Sequence, residues 1–334
     1  MARDGRRVET MLFAETTDVG KSATVVESLA ELKALAPRAV IAIGVFDGVH
    51  CGHQEIFHQL VAMARERHAV PVAMFFEPHP RMVLQPERAP LRICNSEERI
   101  RLILELGIQL FVRFPFTREL AALSPKEFYE RHLRDSGIDV CGYCVGENWR
   151  FGHGNSGDAN DLKLLSGVDV LVVPSVLYGG LPVSSTRIRK ALADGDMALT
   201  TEMLGRPYCI SGIVGHGQGK GGAELAYPTA NLPDGGIQLP KFGVYAAYGI
   251  VDGIRHDGIV YVGDAPTLRG GTVLVEFHAF DFSGDIYGHE LTVEFVEFLR
   301  PSIKFGSSES LKQQIDEDIL QARKSLEISN NRIR

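Results

Sequence analysis

The chain has 334 residues, 45% of them hydrophobic and 23% charged, with a formal net charge of -7 at pH 7. That length is long for one core and the mix is ordinary for a globular protein, so two domains are expected. The acidic balance argues against general binding to nucleic acid or an anionic membrane. No apolar run reaches the ~18 residues of a membrane span, and the basic start lacks a signal-peptide core, which points to the cytosol.

In chain order, residues 39–173 alternate short apolar runs with helical patterns. Strands are expected over 40–46, 71–76, 109–114, 138–145 and 168–173. Between them, 54–67 sets Ile56, Phe57, Leu60, Val61 and Ala64 on one helical face. A helix over 95–106 opens on Asn95 with Glu97 and Glu98 in its first turn, and one over 125–135 begins with Ser124 and Pro125. Strands alternating with helices imply a parallel α/β sheet, whose ligands lie beyond the carboxyl ends of the strands.

The pattern changes at Leu204-Gly205-Arg206-Pro207. Strand-like runs over 209–215, 243–251, 258–262, 272–280 and 291–298 follow without helices between them, as in a small antiparallel barrel. A closing helix is expected over 308–327, striped by Leu311, Ile315, Ile319, Ala322 and Leu326. The domains are therefore read as 20–204 and 205–328. The five cysteines are scattered and odd in number, unlike a disulfide framework, and Cys141 and Cys144 fall in an apolar run with no second C-x-x-C to complete a zinc site. They read as small buried hydrophobes.

Where the first strong strand gives way to a helix, the chain reads Gly44-Val45-Phe46-Asp47-Gly48-Val49-His50-Cys51-Gly52-His53. A helix start suits a phosphate, histidines there can donate to phosphate oxygens, and Gly48 and Gly52 permit close approach. Other phosphate-loop look-alikes are weaker. Gly20-Lys21-Ser22 lacks the glycine that position 15 would need, which is Glu15. Gly152–Gly157 fits G-x-G-x-x-G, yet it follows the fourth strand rather than the first, and Gly217–Gly222 precedes strand-like sequence. Three further segments fit a nucleotide site: Phe75-Phe76-Glu77-Pro78-His79-Pro80, Gly146-Glu147-Asn148-Trp149-Arg150-Phe151-Gly152, and Ser184-Ser185-Thr186-Arg187-Ile188-Arg189. Hydroxyls at a helix start with arginine one turn on form a polyphosphate cradle.

His50-x-Gly52-His53 with Ser184-Ser185-Thr186-x-x-Arg189 resembles the nucleotidyltransferase superfamily. With Phe75–Pro80, Gly146–Gly152, Pro228-Thr229-Ala230-Asn231, Gly243-Val244-Tyr245 and Asp281–Gly288, the ordered set resembles the bacterial bifunctional riboflavin kinase/FMN adenylyltransferases, or FAD synthetases, from about 38 to 328. The resemblance implies a Rossmann-like parallel-sheet domain that joins FMN to ATP, then a small antiparallel β-barrel with a C-terminal helix that phosphorylates riboflavin. By resemblance, His50 and His53 serve the α-phosphate and leaving group, Arg189 the pyrophosphate, and Asn148 the FMN phosphate or transition state. Gly44, Phe46, Asp47 and Gly48 belong to the adenosine side, and Ser184, Ser185 and Thr186 to the phosphates. In the barrel, Glu294 is the catalytic carboxylate, Thr229 and Asn231 hold Mg²⁺, and Gly217, Gly219 and Lys220 wrap ATP phosphates.

The second half departs from the family pattern. Ala226 stands where glycine is usual, 221–224 lacks an arginine, and Tyr261-Val262-Gly263-Asp264-Ala265-Pro266-Thr267 lacks the usual Asn and Arg. The alternatives are an adenylyltransferase with a degenerate flavin-binding barrel, a flavin-sensing protein without turnover, and a different cytidylyl- or adenylyltransferase. Riboflavin, FMN, ATP and FAD are the expected partners, and a homo-oligomer stays open.

Overall fold

A computed structural model of the chain describes residues 9–12, 22–215, 229–264, 273–282 and 284–333. They form two compact units. The first comprises the described residues up to Leu91 with Ser96–Val183, and the second Arg92–Asn95 with the chain from Ser184.

The first unit runs β1 (Glu9–Leu12), β2 (Ser22–Val26), α1 (Leu29–Leu32), β3 (Arg38–Gly44), α2 (Cys51–Glu66), β4 (Val70–Glu77), α3 (Pro80–Leu84) and α4 (Ser96–Glu105). It continues with β5 (Leu110–Pro115), α5 (Arg118–Ala121), α6 (Pro125–Phe128), β6 (Asp139–Gly146), α7 (Ala159–Ser166), β7 (Val170–Val173), β8 (Leu177–Tyr178) and β9 (Leu181–Pro182). Its seven-stranded sheet has the order β1-β2-β5-β4-β3-β6-β7, antiparallel at β1 and parallel elsewhere. The chain winds from β3 through β4 to β5, then crosses back to β6 and β7. That reversal opens a crevice beyond the carboxyl ends of β3 and β6.

Alternation along each strand supplies two cores. Val40, Ala42, Ala73 and Phe75 pack under Phe57 and Leu60 of α2 and Ile100 and Ile103 of α4. Ile41, Ile43, Val72 and Met74 face Leu29, Leu32, Phe128 and Leu162 on the other side. Cys141 and Cys144 belong to the first core, and burial pushes the Cys144 thiol up to about 12, as small hydrophobes behave.

The five strands expected before residue 174 are present, and β2 with β1 extends the sheet on one side. The helix expected over 54–67 begins at Cys51, making His50 its N-cap and putting His53 in its first turn. The helix expected over 125–135 starts with a Ser124–Glu127 capping box, then loosens into a π-helical turn over Tyr129–Leu133 and tightens into a 3₁₀ turn over Arg134–Ser136 before Gly137 ends it at φ 75°.

The second unit holds α8 (Ser185–Asp194), α9 (Met197–Leu204), β10 (Tyr208–Ile213), β11 (Ala230–Leu232), β12 (Gly243–Val251), β13 (Ile254–Asp264), β14 (Val273–Ala279), β15 (Glu290–Pro301) and α10 (Ser308–Ile333). The composition break read near 205 marks where strands begin. α8 and α9 cluster with the barrel because α9 packs on β10 and β15, and Lys241 N–H donates to the Leu192 carbonyl (2.8 Å). The six strands run β10-β15-β12-β13-β14-β11, antiparallel throughout. The two ends meet where Gly215 N–H donates to the Asn231 carbonyl (3.1 Å), which closes the barrel. Outside it, Val244, Ala246 and Tyr248 pack beneath Ala322 and Leu326 of α10. Arg300 clamps Asp318 of that helix through Nε (2.8 Å) and Nη2 (2.7 Å). Among the described residues no helix is long and apolar enough to cross a membrane.

Candidate active sites

The switch-point crevice holds a cleft of about 220 Å³ walled by Gly44, Phe46, His50, His53, Asn148 and Val183, among others. Its floor is the turn between β3 and α2. Phe46 (φ 53°), Gly48 (φ 77°) and Val49 (φ 40°) take left-handed backbone there. Only glycine does so freely, and the other two are held by burial, at 2% and 1% exposure. Gln54 Nε2 donates to the Val49 carbonyl (2.8 Å) and fastens the turn to α2. Asp47 and Gly48 build this turn and are not among the residues that wall the cleft.

The N-cap residue of α2, His50, makes no side-chain capping bond to the helix, and the first turn carries no carboxylate. The helix end therefore presents positive potential to the cleft. The His50 and His53 rings stack at 3.6 Å and 18°, and Phe46 meets His53 edge-on at 5.4 Å. Burial, with the His50 and Arg99 charges, holds His53 well below its ordinary pKa. His53 is thus neutral at pH 7 and donates one N–H without carrying charge. Its Nδ1 is buried with no hydrogen-bond partner among the described residues. On the facing wall, Glu147 accepts from Ser175 Oγ–H (2.9 Å), tying the end of β6 to the segment after β7. Gly44, Phe46, His50, His53 and Asn148 thus share one cleft.

A second cleft of about 480 Å³ shares Gly44, Val45 and Trp149 with the first and is walled by Phe76, Phe116, Phe128 and Phe151. Trp149 stacks on Phe151 at 4.8 Å and 17°. Such a slot suits a flat aromatic ring. Gly152 and Gly154 also line it. A Cβ on Gly152 would stand 2.6 Å from Pro125 Cδ, so this G-x-G-x-x-G packs against α6 and carries no dinucleotide signature.

Ser184 caps α8, its Oγ accepting from Arg187 N–H (3.3 Å), and Ser185, Thr186 and Arg189 follow in the second unit.

In the barrel, Thr229 lines a cleft of about 430 Å³ with Phe277, Phe282, Asp285, Ile286 and Tyr287. Asn231 on β11 stands directly opposite Glu276 on β14, and Tyr261 on β13 flanks Glu276 from the other side. Facing residues of an antiparallel pair project on the same side, about 5 Å apart. Burial pushes the Glu276 carboxyl above its ordinary value. Glu294 is elsewhere: its register partners are Cys209 and Tyr248. The carboxylate beside Asn231 is Glu276, which sequence reasoning missed. Gly217, Gly219 and Lys220 lie outside the described residues, as do the departures at 221–226 and 265–267. Among the described residues no group of three or more His, Cys, Asp or Glu side chains is placed to hold a metal.

The FAD synthetase family model matches residues 32–187 and the riboflavin kinase family model residues 204–326. The bifunctional riboflavin kinase/FMN adenylyltransferase of Pseudomonas fluorescens is 38% identical over 288 residues, 85% of this chain and 92% of that protein. The protein of the same name from Escherichia coli K12 is 35% identical over 292 residues, 85% of this chain and 91% of its own. A solved structure described as a macrolide-efflux protein from Streptococcus pneumoniae matches with TM-score 0.81 and 30% identity, over 90% of this chain and 98% of that one. With both family models matched in order and more than nine tenths of each of these relatives covered, the chain belongs to the bifunctional riboflavin kinase/FMN adenylyltransferase family.

Proposed function

We propose that the chain makes both flavin cofactors. Its second domain, 205–328, phosphorylates riboflavin to FMN with ATP, and its first, 20–204, joins FMN to ATP to give FAD and pyrophosphate. The observation that carries this is the convergence of His50, His53, Gly44, Phe46 and Asn148 in one crevice beside an aromatic slot. In the adenylyl transfer, an FMN phosphate oxygen bonds to the α-phosphorus of ATP while the bond from that phosphorus to the bridging oxygen breaks and pyrophosphate leaves. No covalent enzyme group is needed, only alignment and charge stabilisation. Neutral His53 and His50 donate to the α-phosphate and leaving group, above the positive end of α2. Ser184, Ser185 and Thr186 serve the phosphates, Arg189 the outgoing pyrophosphate and Asn148 the FMN phosphate. Gly44, Phe46, Asp47 and Gly48 form the adenosine side, and the aromatic slot takes the flavin ring.

In the barrel, Glu276 replaces Glu294 as general base. Opposite Asn231 and held above the ordinary carboxylate value, it accepts the proton of the riboflavin 5′-hydroxyl as that oxygen bonds to the γ-phosphorus of ATP, the bond from that phosphorus to the β,γ-bridging oxygen breaks, and ADP leaves. Thr229 and Asn231 would hold Mg²⁺, since a hydroxyl, an amide oxygen and a nearby carboxylate are the hard oxygen donors this ion takes alongside phosphates. The ion would supply charge neutralisation to the transferring phosphoryl group. Gly217, Gly219 and Lys220 wrap the ATP phosphates. Such an enzyme works in the cytosol and needs neither nucleic acid nor membrane.

Purified protein given riboflavin, ATP and Mg²⁺ is expected to yield FMN and then FAD, resolved by chromatography. Absence of both refutes the proposal. FAD from FMN without FMN from riboflavin selects an adenylyltransferase with a degenerate barrel.

A further inference from the structure

Arg99 on α4 is only 5% exposed. A guanidinium is costly to bury unless its donors are matched. Here Nη1 donates to the Val45 carbonyl (3.1 Å), while Nη2 donates to Glu77 Oε2 (3.0 Å) and Ser96 Oγ (3.1 Å). Ser96 in turn donates to the same Glu77 oxygen (2.5 Å), and the guanidinium lies 4.0 Å from the centre of the Phe75 ring. One planar fork therefore links the residue after β3 to the last residue of β4. Val45 walls both clefts and leads into the left-handed Phe46, whose ring abuts His53.

We propose that Arg99 is a positioning residue for adenylyl transfer: from behind the β3–α2 turn it fixes the Val45 carbonyl, and through Phe46 it fixes the stacked His50 and His53. The proposal rests on the reading of that cleft as the adenylyl-transfer site. The fork geometry matters because a lysine ammonium is a point charge on a flexible stem and does not reproduce a planar two-acceptor bridge. Arg99 also acts by charge. The groups facing His53 are His50 from its own helix and Arg99 from α4, with Asp47 in the adjoining turn and Glu77 behind Arg99. The guanidinium opposes protonation of His53, adding to burial and the His50 charge, which lower its pKa more.

The test compares Arg99→Lys, Arg99→Met and Arg99→Met/Glu77→Gln, the last leaving no carboxylate without its cation. FMN adenylylation is followed across pH, riboflavin phosphorylation serves as the reference reaction, and the His53 imidazole is titrated by NMR. Arg99→Met and the double variant should lower kcat for FAD by roughly 10- to 100-fold, the scale of an ångström-sized misplacement. KM for ATP and the kinase rate should hold. In Arg99→Met the acid limb and the His53 titration should both move up in pH. Arg99→Lys should lower kcat less and leave the titration in place. Variants that melt earlier, yet keep the wild-type kcat per folded molecule and the wild-type His53 titration, overturn the proposal. A wild-type chain that makes no FAD overturns it together with the reading of the cleft, and that result is seen before any variant is made.

Discussion

A methyl group added at Gly44 tests whether the turn after β3 is as tightly determined as its contacts imply. The new Cβ would stand 2.7 Å from both Cε1 and Cζ of Phe46. Carbon pairs rest at about 3.5–4.0 Å, so the ring must retreat by about 1 Å. It has little room, being 2% exposed, set by a left-handed backbone at φ 53°, and packed 4.6 Å from Phe57 and 5.4 Å from His53. Overpacking of this kind costs about 1–3 kcal/mol. A catalytic group displaced by about 1 Å loses on the order of 100-fold in rate. Gly44→Ala is therefore expected to lower kcat for FMN adenylylation about 100-fold and to lower the melting temperature, while riboflavin phosphorylation in the barrel proceeds normally. Steady-state kinetics of both reactions on one preparation separate the two effects. FAD synthesis at the wild-type rate in Gly44→Ala would refute the reasoning, because the ring could then move without disturbing His53.

Glu276→Gln should reduce FMN formation by roughly 100- to 10,000-fold and leave FAD formation from supplied FMN intact, whereas Glu294→Gln should stay within a few-fold of wild type. Because burial raises the Glu276 pKa, the ionised base is lost as pH falls through that raised value, so the acid limb of the kinase should lie above the ordinary carboxylate range. The same shift means that the folded barrel binds this proton more tightly than the unfolded chain. Its contribution to stability should therefore decline as pH rises between the ordinary and raised values, and urea titrations of wild type and Glu276→Gln at several pH values read this directly. Asp318 is 2% exposed and held by Arg300 alongside α10. Asp318→Ala leaves that guanidinium without its carboxylate and should destabilise the fold by about 3–5 kcal/mol, measurable by chemical denaturation.

Much of this was legible in the residues because local pattern and long-range packing agreed. Apolar runs flanked by capped helices fixed the parallel sheet, and the helix after β3 exposed the His50–His53 spacing. The expected helix starts three residues after the true start of α2, because Cys51 and Gly52 carry no part of the apolar stripe although the helix already includes them. β2 carries no clear strand signal of its own, because Ser22-Ala23-Thr24-Val25-Val26 is short and partly polar and becomes a strand through pairing with β5. The carboxylate of the barrel is the sharper case. Val275-Glu276-Phe277 and Val293-Glu294-Phe295 have the same local form, a carboxylate between two inward apolar residues. Only strand register, which sets Glu276 and not Glu294 against Asn231, tells them apart. Likewise the glycines at 152 and 157 look like a phosphate loop in sequence, while their contacts with Pro125 show close packing.

Chromatography of His53→Ala incubated with riboflavin, ATP and Mg²⁺ bears most directly on the role of the paired imidazoles. FMN should accumulate while FAD stays undetected. Wild-type amounts of FAD from that variant would contradict any part for the stacked histidines in joining the two nucleotides.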